Sequence, residues 1–338
     1  MMNGKLYIDG NDAYLQFGVY VISGGWNELL ALPPLKTVKS NDWQEEDGIE
    51  ADLEAPVLNT RELTMKFAIS GAFSRYYDFL ALLGDGAYHT FRCEEIGRTF
   101  RLRLVSHSNL DTAKILGFLS VKFADDFPLL DYTYAAPTGG GVPVVEDYCV
   151  DDIPLTDYGV RVLQGSLDEV MKGGTVKQAM LRNIASQGGA QYDSAGAVHY
   201  KSKDVKLTCL LRADSLSEMW RNYLALLHDL TQPEERLLFV AALEAEFPFY
   251  YKSCSVKDFS PVGRVWLEFT LTVVFTGCFR LDEDDMILAT EDGIAVYTED
   301  DEYAINVRPN RFAYPTLRFV NTEASMRLTS SGTMRFNN

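Results

Sequence analysis

Histidine is the side chain most often used to move protons near neutral pH. This chain has four: His89, His107, His199 and His228. A hydrolytic triad needs one of them beside a nucleophile and an acid, yet none lies in a G-x-S-x-G or similar nucleophile setting. The sequence also lacks H-E-x-x-H, C-x-x-C, a P-loop and G-x-G-x-x-G. His228 falls at the end of a predicted helix, where positive charge suits the dipole, so it reads as a capping or surface residue. Oxygen ligands for a hard cation cluster at Asp9-Gly10-Asn11-Asp12, at Trp43-Gln44-Glu45-Glu46-Asp47-Gly48 and at Asp282-Glu283-Asp284-Asp285. None has the spacing of an EF-hand loop, and all three read as acidic loops. Carboxylate pairs for glycoside hydrolysis need no local motif, but among 48 acidic residues no pair stands out. The expectation is a chain that is not an enzyme, with no catalytic residues, no metal site and no cofactor.

The five cysteines, Cys93, Cys149, Cys209, Cys254 and Cys278, are scattered and odd in number. They read as buried free thiols in a reducing compartment. Net charge is −17. Such a surface repels phosphate, which argues against tight duplex binding and against an anionic membrane surface. The first residues show no apolar leader region, and no run reaches the ~18 apolar residues of a membrane helix.

The elements that would position any site follow from periodicity. Leu63 to Ile69, Phe100 to Val105, Lys206 to Leu211 and Trp266 to Phe275 alternate apolar and polar residues, the period of half-buried strands. Leu267, Phe269, Leu271 and Val273 are placed on one face, and Trp266 reads as core. Ser215-Leu216-Ser217-Glu218 forms a capping box. Met219, Tyr223, Leu226 and Leu227 behind it give one apolar helical face. Tyr76, Phe79, Leu80 and Leu83 repeat that face, ending near Gly84. Gly18 and Gly159 sit inside strand-like patterns and suggest bulges or close backbone approach. Gly24 and Gly165 mark the turns that follow.

These elements occur twice. Phe17-Gly18-Val19-Tyr20-Val21-Ile22-Ser23-Gly24 precedes Tyr158-Gly159-Val160-Arg161-Val162-Leu163-Gln164-Gly165 by 141 residues, and Trp26 to Leu30 precedes Leu167 to Met171 by the same offset. Arg61 to Met65 matches Lys203 to Leu207, Phe79 to Leu83 matches Tyr223 to Leu227, and Leu119 to Phe123 matches Leu271 to Phe275. Between the copies, Ala135 to Pro143 contains three glycines bracketed by prolines, a flexible linker with a reach of about 30 Å. The predicted organisation is a mainly β chain. A first β-sandwich or partly open barrel domain with one flanking α-helix occupies 1–136, followed by a Gly/Pro linker at 137–147. A second such domain occupies 148–280, and a short C-terminal β extension occupies 281–338.

Within that extension, Ile287 to Gly293 is echoed by Ala295 to Asp301, as short strands with acidic turns. Phe312 to Asn338 alternates like two more strands around Ser330-Ser331-Gly332. Arg308, Arg311, Arg318, Arg327 and Arg335 face a single acid, Glu323. The segment is thin for a core of its own, so it is expected to pack on another domain or a neighbouring subunit.

Taken together, Phe17-Gly18-Val19-Tyr20-Val21, a strand of the Leu63 to Ile69 type, the Tyr76 to Leu83 helix and a last strand ending Val121-Lys122-Phe123-Ala124-Asp125-Asp126-Phe127 resemble the tube-forming domain of phage tails. The nearest resemblance is to distal tail and baseplate hub proteins. It implies a non-enzymatic structural component of a virion tail or phage-like particle, such as a prophage product, assembled in the bacterial cytoplasm. It also implies a ring of three or six chains that contacts other tail and baseplate proteins and passes DNA through an acidic lumen without holding it. The 281–338 segment departs from the carbohydrate-binding-like domain of many such proteins. The competing readings are a carbohydrate- or surface-binding β-sandwich module, for which Trp26, Trp43 and Trp266 are candidate stacking platforms, and an enzyme of unrecognised type.

Overall fold

The computed structural model describes residues 3–277, apart from 72–73, 114, 130–131, 179–180, 184–185, 187 and 193–197, together with four short strands between 305 and 337. The first half runs β1 (Leu6–Ile8), β2 (Asn11–Asp12), α1 (Ala13–Phe17), β3 (Val19–Val21), α2 (Asn27–Leu30), β4 (Ser40–Asn41) and β5 (Glu50–Ala51). It continues with β6 (Arg61–Ser70), α3 (Arg75–Leu83), β7 (His89–Cys93), β8 (Arg98–His107), β9 (Asp111–Ala113) and β10 (Leu116–Asp125). The second half runs β11 (Tyr148–Val150), β12 (Ile153–Pro154), a 3-10 turn at Leu155–Tyr158, β13 (Val160–Val162), α4 (Ser166–Met171), β14 (Leu181–Asn183) and β15 (Ala190–Tyr192). It closes with β16 (Lys203–Ala213), α5 (Leu216–Leu230), β17 (Arg236–Val240), β18 (Ala245–Ser260) and β19 (Val265–Phe275).

Each half builds one antiparallel sheet, and the two strand orders agree at every position: β2-β1-β7-β8-β10-β6-β3 and β12-β11-β17-β18-β19-β16-β13. A long strand turns the corner in each sheet. The start of β8 pairs β7 and its end pairs β10; β18 does the same with β17 and β19. Both corner strands carry a bulge at the matching place. The ladder skips Val105 between Leu104 and Ser106, and Lys252 between Tyr251 and Ser253. A strand that bends at a bulge lets one sheet fold over its own core.

The alternation read from sequence sets which face is inside. Leu63, Met65 and Phe67 on β6 are buried, as are Leu267, Phe269, Leu271 and Val273 on β19. The helices lie on that apolar face: Phe79 packs edge-on against Phe67 at 5.6 Å, and Tyr223 against Phe269 at 5.0 Å. The Ser215 hydroxyl caps α5 by accepting from the Glu218 N–H at 3.2 Å, while the Glu218 carboxylate accepts from the Asp214 N–H, one residue further back than a closed box.

Several sequence expectations change. Gly18 and Gly159 are not bulges but the close backbone approach that the pattern equally suggested. Each ends a short helical turn in the left-handed region, with φ of 69° and 68°. Each also lies under the carbonyl of the next strand, so a Cβ would fall 2.3 Å from Ser70 O or 2.7 Å from Arg212 O. The last repeat block is shifted by two residues. Phe123 pairs with Leu63 as Val273 pairs with Val205, so Phe123 corresponds to Val273 and not to Phe275. A two-residue slip keeps the in–out alternation, so the sequence pattern could not reveal it. Trp266 sits on the half-exposed face, out of phase with buried Val265 and Leu267.

The Ala135–Pro143 segment is not a free tether. Asn222 of α5 accepts from the Thr138 N–H at 2.9 Å and donates to the Gly139 carbonyl, Arg221 donates to Ala136 O, and a Cβ on Gly141 would fall 2.2 Å from Arg212 O.

At the C-terminus, β20 (Ile305–Arg308), β21 (Thr316–Phe319), β22 (Ser325–Leu328) and β23 (Met334–Asn337) form a four-stranded antiparallel meander. The 312–338 stretch therefore holds three strands, β22 and β23 flanking 330–332. The 282–285 cluster, the 287–301 echo, Cys278 and the packing of the arginines lie outside the described residues.

Candidate functional site

The residues with chemical potential are taken up by the fold. His89 is buried, with Nδ1 2.7 Å from Asp9 Oδ2 and Nε2 3.2 Å from Asp85 Oδ1. Its duplicate shows what the pair does. Asp9 and Asp151 each occupy the left-handed first position of a two-residue hairpin turn. The Asp9 carboxylate accepts from the Thr90 N–H at 2.8 Å, and that of Asp151 from the Leu237 N–H at 2.9 Å. The second oxygen meets His89 in one copy and Arg236, at 3.0 Å, in the other. Burial pushes the Asp9 carboxyl up, but the Thr90 N–H and His89 outweigh it and hold the group below its usual range. A position filled by His in one copy and Arg in the other supplies a side-chain nitrogen to clamp a turn; arginine cannot serve as a proton acceptor.

The other candidates are equally structural. Asp12 caps α1, accepting from the Tyr14 and Leu15 N–H groups. The acidic 43–48 loop is gripped by the buried Lys177 ammonium, which donates to Trp43 O at 2.6 Å and Gly48 O at 2.7 Å and pairs with Asp42 at 2.6 Å. Asp47 accepts from the Tyr200 N–H at 2.6 Å and lies 3.5 Å from His199 Nδ1. His228 stands in the last turn of α5 beside Asp229, its ring tilted against that of Tyr134 with centroids 4.3 Å apart. His107 is exposed and meets Ser108 O. Burial raises the thiols of Cys93, Cys149, Cys209 and Cys254, the second and fourth to about 11, away from the range in which a thiolate forms near neutral pH. Among the described residues, no group of three or more His, Cys, Asp or Glu side chains is placed to hold a metal ion. Of the tryptophans considered for stacking, Trp26 is buried and donates to Glu95 at 2.7 Å, Trp266 is half-buried, and Trp43 is exposed with its N–H on Glu50.

A duplicated cation also props the segment after each short helix. Arg61 donates to the carbonyls of Leu29 and Ala31; Lys203, its counterpart, donates to those of Val170 and Lys172. Arg61 also pairs with Asp125 at 2.8 Å. At the same register the second copy has Phe275, and the Lys203 ammonium lies 5.6 Å from that ring. Burial there pulls Lys203 down to about 8.

The most elaborate surface is the one between the two copies. Segment 27–35 of the first copy lies along β18 of the second. Asn27 donates to Lys257 O at 3.0 Å, the Leu35 N–H to Lys252 O at 3.0 Å, and the Tyr251 hydroxyl to Pro33 O at 2.9 Å. Trp220 of α5 inserts into the first copy, donating to Ile96 O at 2.6 Å. Arg98 stacks over its ring at 4.5 Å, and Phe100 meets it edge-on at 6.5 Å. Beyond this, the Ile49 N–H reaches Thr276 O and the Glu234 N–H reaches Leu53 O, both at 2.9 Å. The buried apolar residues of both halves run together as one core. Sequence reasoning missed this surface because a tryptophan buried against another copy has the same local pattern as one buried in its own sheet.

No family model matches the chain, and no curated protein matches it. Among solved structures, the chain is similar to the Dit protein of phage SPP1, described as a paradigm of the hub adsorption apparatus in phages that infect Gram-positive bacteria. The two are 12% identical, over 80% of this chain and 98% of that one, with a TM-score of 0.29.

Proposed function

We propose that the chain is a non-enzymatic structural component of a phage tail or phage-like particle, a ring-forming protein of the distal tail or baseplate hub type. The observation that carries this reading is the head-to-tail contact between two copies of one sheet topology. The first copy presents its 27–35 segment, and the second receives it on β18 and α5. Such a heterologous contact uses two different faces, so one of each stays open at the ends of the pair, and repeating the contact gives a ring where its rotation closes and an open filament where it does not; the ring is the form this reading takes. Two domains, 1–136 and 148–280, then occupy alternate positions, and three chains supply six. The net charge of −17 suits a lumen through which DNA slides without being held. Neighbouring tail and baseplate proteins are the remaining partners, and the virion tail is the working location. The strand edge at each end of an open sheet is also protected when subunits close on one another.

Electron microscopy of the purified full chain tests this reading. Annular particles with a central channel are expected. Compact single particles without a channel, at high concentration and low salt, contradict it.

A further inference from the structure

We infer that the face formed by α3 and the β8 bulge receives the segment that follows α4 of a second copy of this chain, through the contact the two halves already make within one chain. This rests on the ring reading above and assigns its interface to residues. Within the chain, Leu30 is fully buried and Leu32 is 2% exposed, because β18 covers them. Their counterparts in the second copy, Met171 and Gly173, are exposed, Met171 at 59%. Leu35 is half-buried, whereas its counterpart Val176 is 54% exposed. Yet the backbone is the same: Leu35 bridges Leu58 as Val176 bridges Tyr200.

The receiving face shows the converse. Trp220 is 8% exposed where it enters the first copy, and its counterpart Tyr76 is half-buried, edge-on to Tyr77, which is 72% exposed. Tyr251 is fully buried and its counterpart Leu104 is not. The bulge residue Lys252 offers its carbonyl to the Leu35 N–H; the matching bulge residue is Val105, 39% exposed. Met171, Val176, Tyr76 and Leu104 thus stand open where the partner copy covers their counterparts, and Val105 duplicates the bulge residue whose carbonyl the contact uses. A bulge leaves backbone groups outside the ladder, and the contact within the chain uses one of them. The occupant that fits the first copy's open face is therefore the second copy of another molecule, with Val176 against Val105 and the Leu243 carbonyl in the place of Ile96 O, near Tyr76.

Disulfide trapping in the full chain tests this. Val105→Cys with Val176→Cys, oxidised and run without reductant, is expected to give covalent multimers ending at a closed species, and neither single variant is expected to do so. Met171→Asp, at an exposed position that burdens the fold little, is expected to weaken assembly about tenfold or more, the cost of placing a charge in a closed apolar contact. Rings that persist in Met171→Asp, with no 105–176 crosslink, overturn this interface and leave the ring reading standing. A chain that stays monomeric at all concentrations and gives no crosslink overturns both.

Discussion

At the residue scale, the duplication shows which partner each buried polar side chain holds. A buried histidine between two carboxylates invites a mechanistic reading, but its counterpart is an arginine on the same turn aspartate. His89→Ala is therefore expected to cost roughly 1.5–3 kcal/mol, the range for hydrogen bonds to charged groups, and His89→Arg to recover at least half of it; urea unfolding of the two variants checks this. Gly18→Ala and Gly159→Ala are each expected to lose about 1–3 kcal/mol or more, because positive φ and a carbonyl beneath the new Cβ act together. An alanine variant that keeps wild-type stability contradicts the geometry.

Ionisation adds a third expectation. Burial raises the Tyr223 and Tyr251 phenols well above 10. Above pH 10 the unfolded phenols lose protons that the folded ones keep. The folded state then binds more protons, and stability falls as pH rises. The slope of unfolding free energy against pH in that range should flatten in Tyr223→Phe. An unchanged slope would show that the phenol does not titrate on unfolding.

At the element scale, strands with one buried face and helices with one apolar stripe were legible, because periods of 2 and 3.6 survive in any single sequence. β6, β19, α3 and α5 fall where alternation and capping place them. The correspondence of β1–β2 with β11–β12 was not legible, since three residues and a turn carry too little pattern. The docking of the 135–143 segment was hidden for a different reason: glycines that permit flexibility also permit close approach, and here Gly141 is used for approach to Arg212 O. Nor could the sequence reveal that Asp9 and His89, 80 residues apart, share one turn. The contact between copies gives the test at this scale. Trp220→Ala should destabilise the chain by about 3–5 kcal/mol, as for a buried large aromatic, whereas Trp43→Ala should fall within about 0.5 kcal/mol. Equal effects in thermal or denaturant unfolding would mean that Trp220 does not anchor the halves.

At the scale of the whole molecule, two copies of one topology meet through unlike faces, and the unlike faces at the ends are apolar where their counterparts are covered. An acidic body resists close packing, so an assembly of this chain must rest on contacts specific enough to overcome repulsion. The contacts of 27–35 with β18 and of Trp220 with Ile96 O hold the pair as one preformed unit, which lowers the entropy lost on closing a ring. The most direct test is the mass of the purified full chain, by light scattering or native mass spectrometry across concentration. The account predicts a closed species of three chains, about 114 kDa from a 38.0 kDa protomer, that grows no further. A mass that stays at one chain, or an open series without a preferred size, would contradict it.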